Sequence, residues 1–244
     1  MYQSRTYQSW VEDKSLFSFR VKLGESDLFI RADKALAAFA RESLDRQRRL
    51  IQDYIRVDPD FATSLAPYSV GAEAPDIVRE MAEASSCAGV GPMAAVAGAI
   101  AEYVAKDLLK ASSEVIVENG GDIFMRTNHT RRVGIFAGES VYSGKIALEI
   151  APQAPCGICT SSGTVGPSLS FGKSDAAVVI CNSAILADAW ATRLGNMVKS
   201  ASCVDETLTF VKDRAPVAGI KGVVLIIGEK IGAWGEVKLV QSRH

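Results

Sequence analysis

Asp188 and Thr192 stand four residues apart in the stretch AILADAWATRLGNMV, Ala184 to Val198, with Gly195 and Asn196 one further turn along. Residues four apart share one face of a helix, so an otherwise apolar helix carries a carboxylate and a hydroxyl pointing one way. Asn182 or Ser183 reads as the N-cap, which places Asp188 beyond the first turn, where the helix dipole no longer accounts for an acid. Both side chains offer hard oxygens. Mg²⁺ suits such a pair, because it takes few protein oxygens and fills its other positions with water or phosphate. Asp188 and Thr192 are therefore the candidate metal ligands. Chance spacing of an Asp and a Thr produces the same pattern.

Two further stretches supply candidate ligand contacts. Asn119-Gly120-Gly121-Asp122 joins two alternating segments, and by itself Asn-Gly or Gly-Gly is ordinary turn chemistry. Residues 151 to 172, APQAPCGICTSSGTVGPSLSFG, run for 22 residues without a charge. Thr160, Ser161, Ser162, Gly163 and Thr164 within it can present backbone N–H groups and hydroxyls to an anion. The same composition fits an internal loop packed between sheet and helix.

The third chemistry is that of thiols. Cys156 and Cys159 have the spacing of a redox or zinc pair. On one strand, however, they point to opposite faces with α-carbons about 10 Å apart, too far for a disulfide. One of them reads as core. Cys159, which adjoins Thr160 and Ser161, is the candidate functional thiol. Cys87 is the other, because it precedes Gly89-Val90-Gly91 and a helix starting at Pro92, and a helix N-terminus lowers a thiol pKa.

Counting excludes other chemistries. With only two histidines, His129 and His244, neither a His-based metal cluster nor a Ser-His-Asp triad is expected. No phosphate-binding G-x-x-x-x-G-K-[ST] occurs, and no G-x-G-x-x-G sits between a strand and a helix.

The elements that must position these residues alternate without repeats. LFSFRVKL and DLFIRAD, separated by GES, predict a hairpin. A charged helix is predicted from about Lys34 to Arg56, with DPDFATSLAPY as a connector. A short helix follows from about Ala74, then SSCAGVGP, then a second long helix from Pro92 to about Lys110, with proline suited to its first turn. EVIVENGGDIFMR, RVGIFAG, KIALEI, GICT and AAVVIC read as strands, with His129 at a hairpin tip. The Asp188 helix comes next, then a last helix around ETLTFVKDR, and GVVLIIGEKIGAWGEVKLV closes as a β-meander. This mixture predicts α+β, with helices on a largely antiparallel sheet. No composition break marks a boundary, so residues 1–244 read as one domain.

Lys plus Arg total 27 against 28 Asp plus Glu, so charge gives no case for nucleic acid or an anionic membrane as partner. Residues 84–101 are uncharged but contain three glycines, a proline and two serines, a poor lipid-spanning helix. MYQSRTYQSWVEDKS lacks an apolar signal core. Five cysteines make no disulfide framework, and a reducing cytoplasm is the expected compartment. Self-association into a homo-oligomer is compatible with all of this.

The order of the pieces resembles the ApbE-like superfamily, the FAD:protein FMN transferases. There, an Ala-Asp-Ala-x-Ala-Thr helix signature holds magnesium beside the phosphates of the flavin dinucleotide, and Asp188 and Thr192 match it within Ala187–Thr192. Asn119-Gly120-Gly121-Asp122 looks like the family's Gly-Gly-Asp turn, and Thr160-Ser161 with Gly163 like its Thr-Ser-Gly. The resemblance spans roughly residues 85 to 235. It implies an ApbE-like α+β fold, a site built from residues 119–122, 160–164, Asp188 and Thr192, and magnesium with a flavin or nucleotide.

Two departures qualify it. The family's His-x-x-x-Asp-Pro-x-x-Gly segment after Thr-Ser-Gly has no counterpart in TVGPSLSFGKSD, and GVGPMAAVAGA replaces its Lys-Gly. The expectation is a compact branch that binds a phosphate-bearing or otherwise anionic small ligand with a divalent cation, and does not transfer FMN. The alternatives are a thiol-dependent enzyme or accessory protein of sulfur assimilation, a role associated with part of that branch, and a non-catalytic flavin- or nucleotide-binding protein.

Overall fold

The computed structural model describes residues 16–164 and 171–242. The Met1–Ser15 stretch, residues 165–170 of the uncharged run, and residues 243–244, with His244 among them, lie outside the described residues.

The chain opens with β1 (Phe17–Leu23), β2 (Ser26–Ala32), α1 (Ala37–Val57), α2 (Asp60–Thr63) and α3 (Asp76–Ala88). A 3-10 turn at Pro92–Ala95 leads into α4 (Val96–Leu108), followed by β3 (Val115–Asn119), β4 (Asp122–Thr127), β5 (Arg131–Gly134) and β6 (Ile146–Ile150). Then come β7 (Gln153–Ser161), β8 (Ala176–Cys181), α5 (Ala184–Met197), α6 (Cys203–Ala218), β9 (Ile220–Ile227), β10 (Lys230–Gly235) and β11 (Leu239–Gln241).

Eight strands form one sheet in the order β1-β2-β3-β4-β7-β8-β9-β10, with every neighbouring pair antiparallel. A second sheet has the order β11-β6-β5. The fold is α+β. Alternation along the strands sorts side chains into two cores. Leu28, Ile30, Val115, Val117, Cys159, Val179 and Val223 pack beneath the helices, whereas Ile116, Met125, Cys156, Ile158, Val178, Ile180 and Val224 pack with the small sheet. β8, AAVVIC, lies between both layers and is buried along its whole length, which explains its unbroken apolar run.

Several boundaries differ from the sequence reading. The first turn is two residues, because Ser26 already pairs with Leu23. The charged helix starts at Ala37, and α2 forms inside the supposed connector. Ser85 to Ala88 complete α3 instead of preceding a helix, and Gly89 ends it in the left-handed conformation, φ 72°. His129 does not sit at a hairpin tip, since β4 and β5 belong to different sheets. The closing meander also breaks: β9 and β10 pair, but β11 crosses to β6. Among the described residues no single helix is long and apolar enough to cross a membrane. The α3 segment and Pro92–Leu108 pass that test only together, across a 103° bend.

Candidate functional site

The site is built where α4, α5, β4 and β7 meet, and glycine makes the meeting possible. A Cβ on Gly98 of α4 would lie 2.2 Å from the Ala184 carbonyl oxygen, and one on Gly157 of β7 would lie 2.3 Å from the Ala184 nitrogen. Any larger residue at either position pushes α5 away. The glycine of the CGIC stretch is thus a seat for the first turn of α5.

Each of the two helices caps the other. α4 has no side-chain cap of its own at Ala95; instead the Gly98 N–H donates to Asp188 Oδ2 at 2.9 Å. In return Glu102 of α4 reaches the start of α5, where its Oε2 accepts from Ala184 N at 2.7 Å, Ser183 Oγ at 2.8 Å and Ile185 N at 3.3 Å. Lys106 holds the other Glu102 oxygen at 3.0 Å. These contacts satisfy helix-end N–H groups that burial would otherwise leave without partners.

The turn after β3 delivers the second acid. Gly120 and Gly121 have φ of 72° and 109°, a backbone only glycine adopts without strain, and they bring Asn119 opposite Asp122. Asn119 Nδ2 donates to the Ala97 carbonyl at 3.2 Å and so latches the turn to α4. The Asp122 carboxylate accepts from the Thr160 N–H at 3.3 Å. Burial first, and then the charge of Asp122, push the Asp188 carboxyl well above the usual carboxylate range; backbone N–H groups of Gly98 and Ala97 oppose that rise. Two acids from separate elements therefore share one buried corner. Such a pair is relieved by a shared proton or by a cation. Thr192, one turn beyond Asp188 and half-buried, has no hydrogen-bond partner for its hydroxyl among the described residues.

The 160–164 loop differs from the expected anion cradle. Thr160 and Ser161 end β7, and three of the loop's N–H groups are already engaged: Thr160 with Asp122, Gly163 with the Ser174 carbonyl at 2.8 Å, and Thr164 with Ser162 Oγ at 3.1 Å. What remains toward α5 is hydroxyl chemistry. The exposed Gly163 and Thr164 stand at the rim, and Thr164 Oγ1 donates to Asp175 at 2.9 Å.

Both thiol candidates need correction. Cys159 is fully buried, its Sγ 3.3 Å from the Ala184 carbonyl oxygen. Burial, reinforced by the Asp122 and Asp188 charges, pushes the thiol far above its ordinary pKa, so it stays protonated and inert at neutral pH. Cys87 is exposed, but it lies in the last turn of α3 and not before the start of a helix. Cys156 and Cys159 do face opposite cores, and all five cysteines are free. Sequence reading passed over Cys203, the first residue of α6. It is only half-buried, and the Ser200 hydroxyl, then backbone groups of Lys199 and Ser200, hold its pKa below the ordinary value.

Among the described residues no group of three or more His, Cys, Asp or Glu side chains is arranged to hold a metal. A cation in this corner would rest on Asp122, Asp188 and oxygens of other kinds. The donors are all hard oxygens, and that chemistry fits Mg²⁺ and not a thiolate- or imidazole-seeking metal.

A family model described as AbpE bacteria matches residues 8–210. The UPF0280 protein of Methanocella arvoryzae is 40% identical over 227 residues, covering 92% of this chain and 91% of its own. That of Methanosarcina acetivorans is 41% identical over 230 residues, covering 91% and 89%. Among solved structures, the flavin transferase ApbE from Vibrio cholerae superposes with a TM-score of 0.59 at 14% identity, over 92% of this chain and 97% of that one. The apo flavinyl transferase ApbE of Pseudomonas stutzeri gives 0.56 at 14% identity, over 90% and 93%. At that identity the structural likeness speaks for the fold.

Proposed function

Because the chain belongs to the ApbE-like superfamily, among its UPF0280 proteins, we propose that it binds a phosphate-bearing small ligand of the flavin or nucleotide kind, with a divalent cation, beside Asp122, Asp188 and Thr192. The observation that carries this reading is the buried acid pair. Two carboxylates in one corner with so little solvent, the charge of one raising the pKa of the other, are costly in a protein that leaves them unused. A cation offsets that cost and also draws a phosphate to the same corner. Asp188 and Thr192 would be its side-chain ligands, with Asp122 and a carbonyl of the 119–122 turn beside them. When bound, the cation supplies charge neutralisation for the phosphate.

The turn residues Asn119, Gly120 and Gly121 form one wall, and Thr160, Ser161 and Ser162 the other, with Gly163 and Thr164 at the rim. Binding without FMN transfer is the favoured reading, because the chain lacks the His-x-x-x-Asp-Pro segment. A thiol-dependent activity at Cys159 finds no support in its burial. Native mass spectrometry of the protein as purified, followed by thermal melting with Mg²⁺ and FAD, FMN or ADP, tests the proposal. A retained flavin or nucleotide, or a melting rise that needs both Mg²⁺ and ligand, is the expected result. No retained mass and no rise with any of the three would overturn it.

A further inference from the structure

α6 buries Val204, Thr207, Val211, Ala215 and Ala218 on one side and leaves a flank in solvent. Phe210 stands at the middle of the helix, half-buried. Four residues before it comes Glu206, and four residues after it Arg214, both exposed. Residues four apart share a helix face, so this flank reads acid, aromatic, base.

These charges lack counter-ions. The ion pair that α6 does form joins Asp205 to Lys230 of β10 at 2.9 Å. Among the described residues Glu206, Asp213 and Arg214 form none, and neither does Arg193 of α5. On α1, by contrast, Asp45 pairs with Arg49 four residues on, and Asp53 with Arg56 three residues on. Glu206 and Arg214 are eight residues apart, about 12 Å along the axis, and cannot reach each other.

The arginines lie over the ring between them. The Arg214 and Arg193 guanidiniums are 5.4 and 5.9 Å from the Phe210 centroid, and Trp190 backs that ring at 6.3 Å. Arg193 Nε is buried without a hydrogen-bond partner. Stacking on the ring orders both side chains before any counter-ion arrives. Val217, one turn beyond Arg214, is 92% exposed.

Two carboxylates and two guanidiniums leave the flank neutral as a whole, which suits neither an acidic nor a basic partner. It suits its own copy. In a two-fold contact residue i meets j while j meets i. Two α6 helices laid antiparallel across Phe210 bring Glu206 of each copy opposite Arg214 of the other. We propose that the chain forms a two-fold dimer through α6, with Phe210 at the axis and a Glu206–Arg214 ion pair on either side. The ligand proposed above takes no part in this contact.

Sedimentation velocity of the full chain without ligand, over a concentration series, reads the assembly. Wild type is compared with Glu206→Arg, Arg214→Glu and the double variant E206R/R214E. Melting reads the fold separately, because Glu206 lies in the first turn of α6, where an acid also favours the helix dipole. Wild type is expected to dimerise. Each single reversal turns two ion pairs into two like-charge contacts, and should raise the dimer Kd about tenfold or more. The double variant restores both pairs in swapped order and should return the Kd to near the wild-type value. Positions 206 and 214 do not meet within one chain, so such a rescue can arise only between copies. Wild type that stays monomeric at the highest soluble concentration overturns the proposal. So does a dimer that Arg214→Glu leaves as tight as before, or a folded double variant that dimerises no better than the single ones. If Glu206→Arg does not fold, Arg214→Glu decides alone.

Discussion

Glu102 and Asp188 hold each other's helices: Glu102 of α4 accepts the first N–H groups of α5, and Asp188 of α5 accepts the Gly98 N–H of α4. The two carboxylates sit on different helices, yet each completes the end of the other. This exchange sets the depth of Asp188 beside Asp122, and so defines the corner.

Glu102→Ala should destabilise the fold by about 2–3 kcal/mol, since it strands two buried N–H groups and the Ser183 hydroxyl. Glu102→Gln keeps an acceptor and should lose less than half of that. Urea unfolding of both variants checks the ordering. Equal losses would mean that the charge, and not the acceptor geometry, is what α5 requires.

Asp188→Asn separates the cap from the charge, because the Asn Oδ1 still accepts from Gly98. The raised pKa of Asp188 means that the folded chain keeps this proton at a pH where the unfolded chain has released it. Its contribution is therefore full below the ordinary aspartate pKa and is lost as pH rises through the folded value. Without metal, Asp188→Asn should melt higher than wild type at neutral pH and show a flatter pH profile. Mg²⁺ with ligand should stabilise wild type only, by about 2.7 kcal/mol at one hundred times Kd. Equal responses to metal in both proteins would remove the cation from the account.

FMN transfer should be absent. Incubation with FAD, Mg²⁺ and an acceptor peptide, read by peptide mass, is expected to leave the peptide unmodified. A peptide carrying covalent FMN restores the transferase activity that the shortened segment after Thr164 argues against.

Iodoacetamide at neutral pH should label Cys203 and Cys87 well before Cys156, Cys159 and Cys181, which are all 0% exposed. Burial holds the Cys156 thiol up at about 11 and raises Cys159 and Cys181 as well. Cys203, with its lowered pKa, should react at a lower pH than an ordinary thiol. Peptide mapping over a pH series measures both effects. Rapid labelling of Cys159 would reopen the thiol chemistry at the pocket.

What could be read in advance follows from how local each signal is. The face shared by Asp188 and Thr192, the glycine turn before Asp122 and the two-faced placement of Cys156 and Cys159 depend on residue spacing alone. Glu102 was not legible, because its partners at the start of α5 lie 80 or more residues away. Cys87 was misplaced for a physical reason: Gly89 reads equally as the entry to one helix or the exit from another, and here it ends α3. In the 160–164 loop, sequence shows how many N–H groups a segment has but not that Thr160, Gly163 and Thr164 already spend theirs within the fold.

The seat at Gly157 has a further consequence for motion. With no side chain between strand and helix, the first turn of α5 rests directly on β7, and Glu102 fastens it from above. The other end is tied through the Phe171–Gly172 bend and the Lys173 N–H to Val198 carbonyl bond of 2.8 Å, which are single hydrogen bonds from a loop. The helix is thus clamped at one end and tethered at the other, like a cantilever. Any displacement on binding is concentrated beyond Thr192, while Asp188 stays fixed near the root.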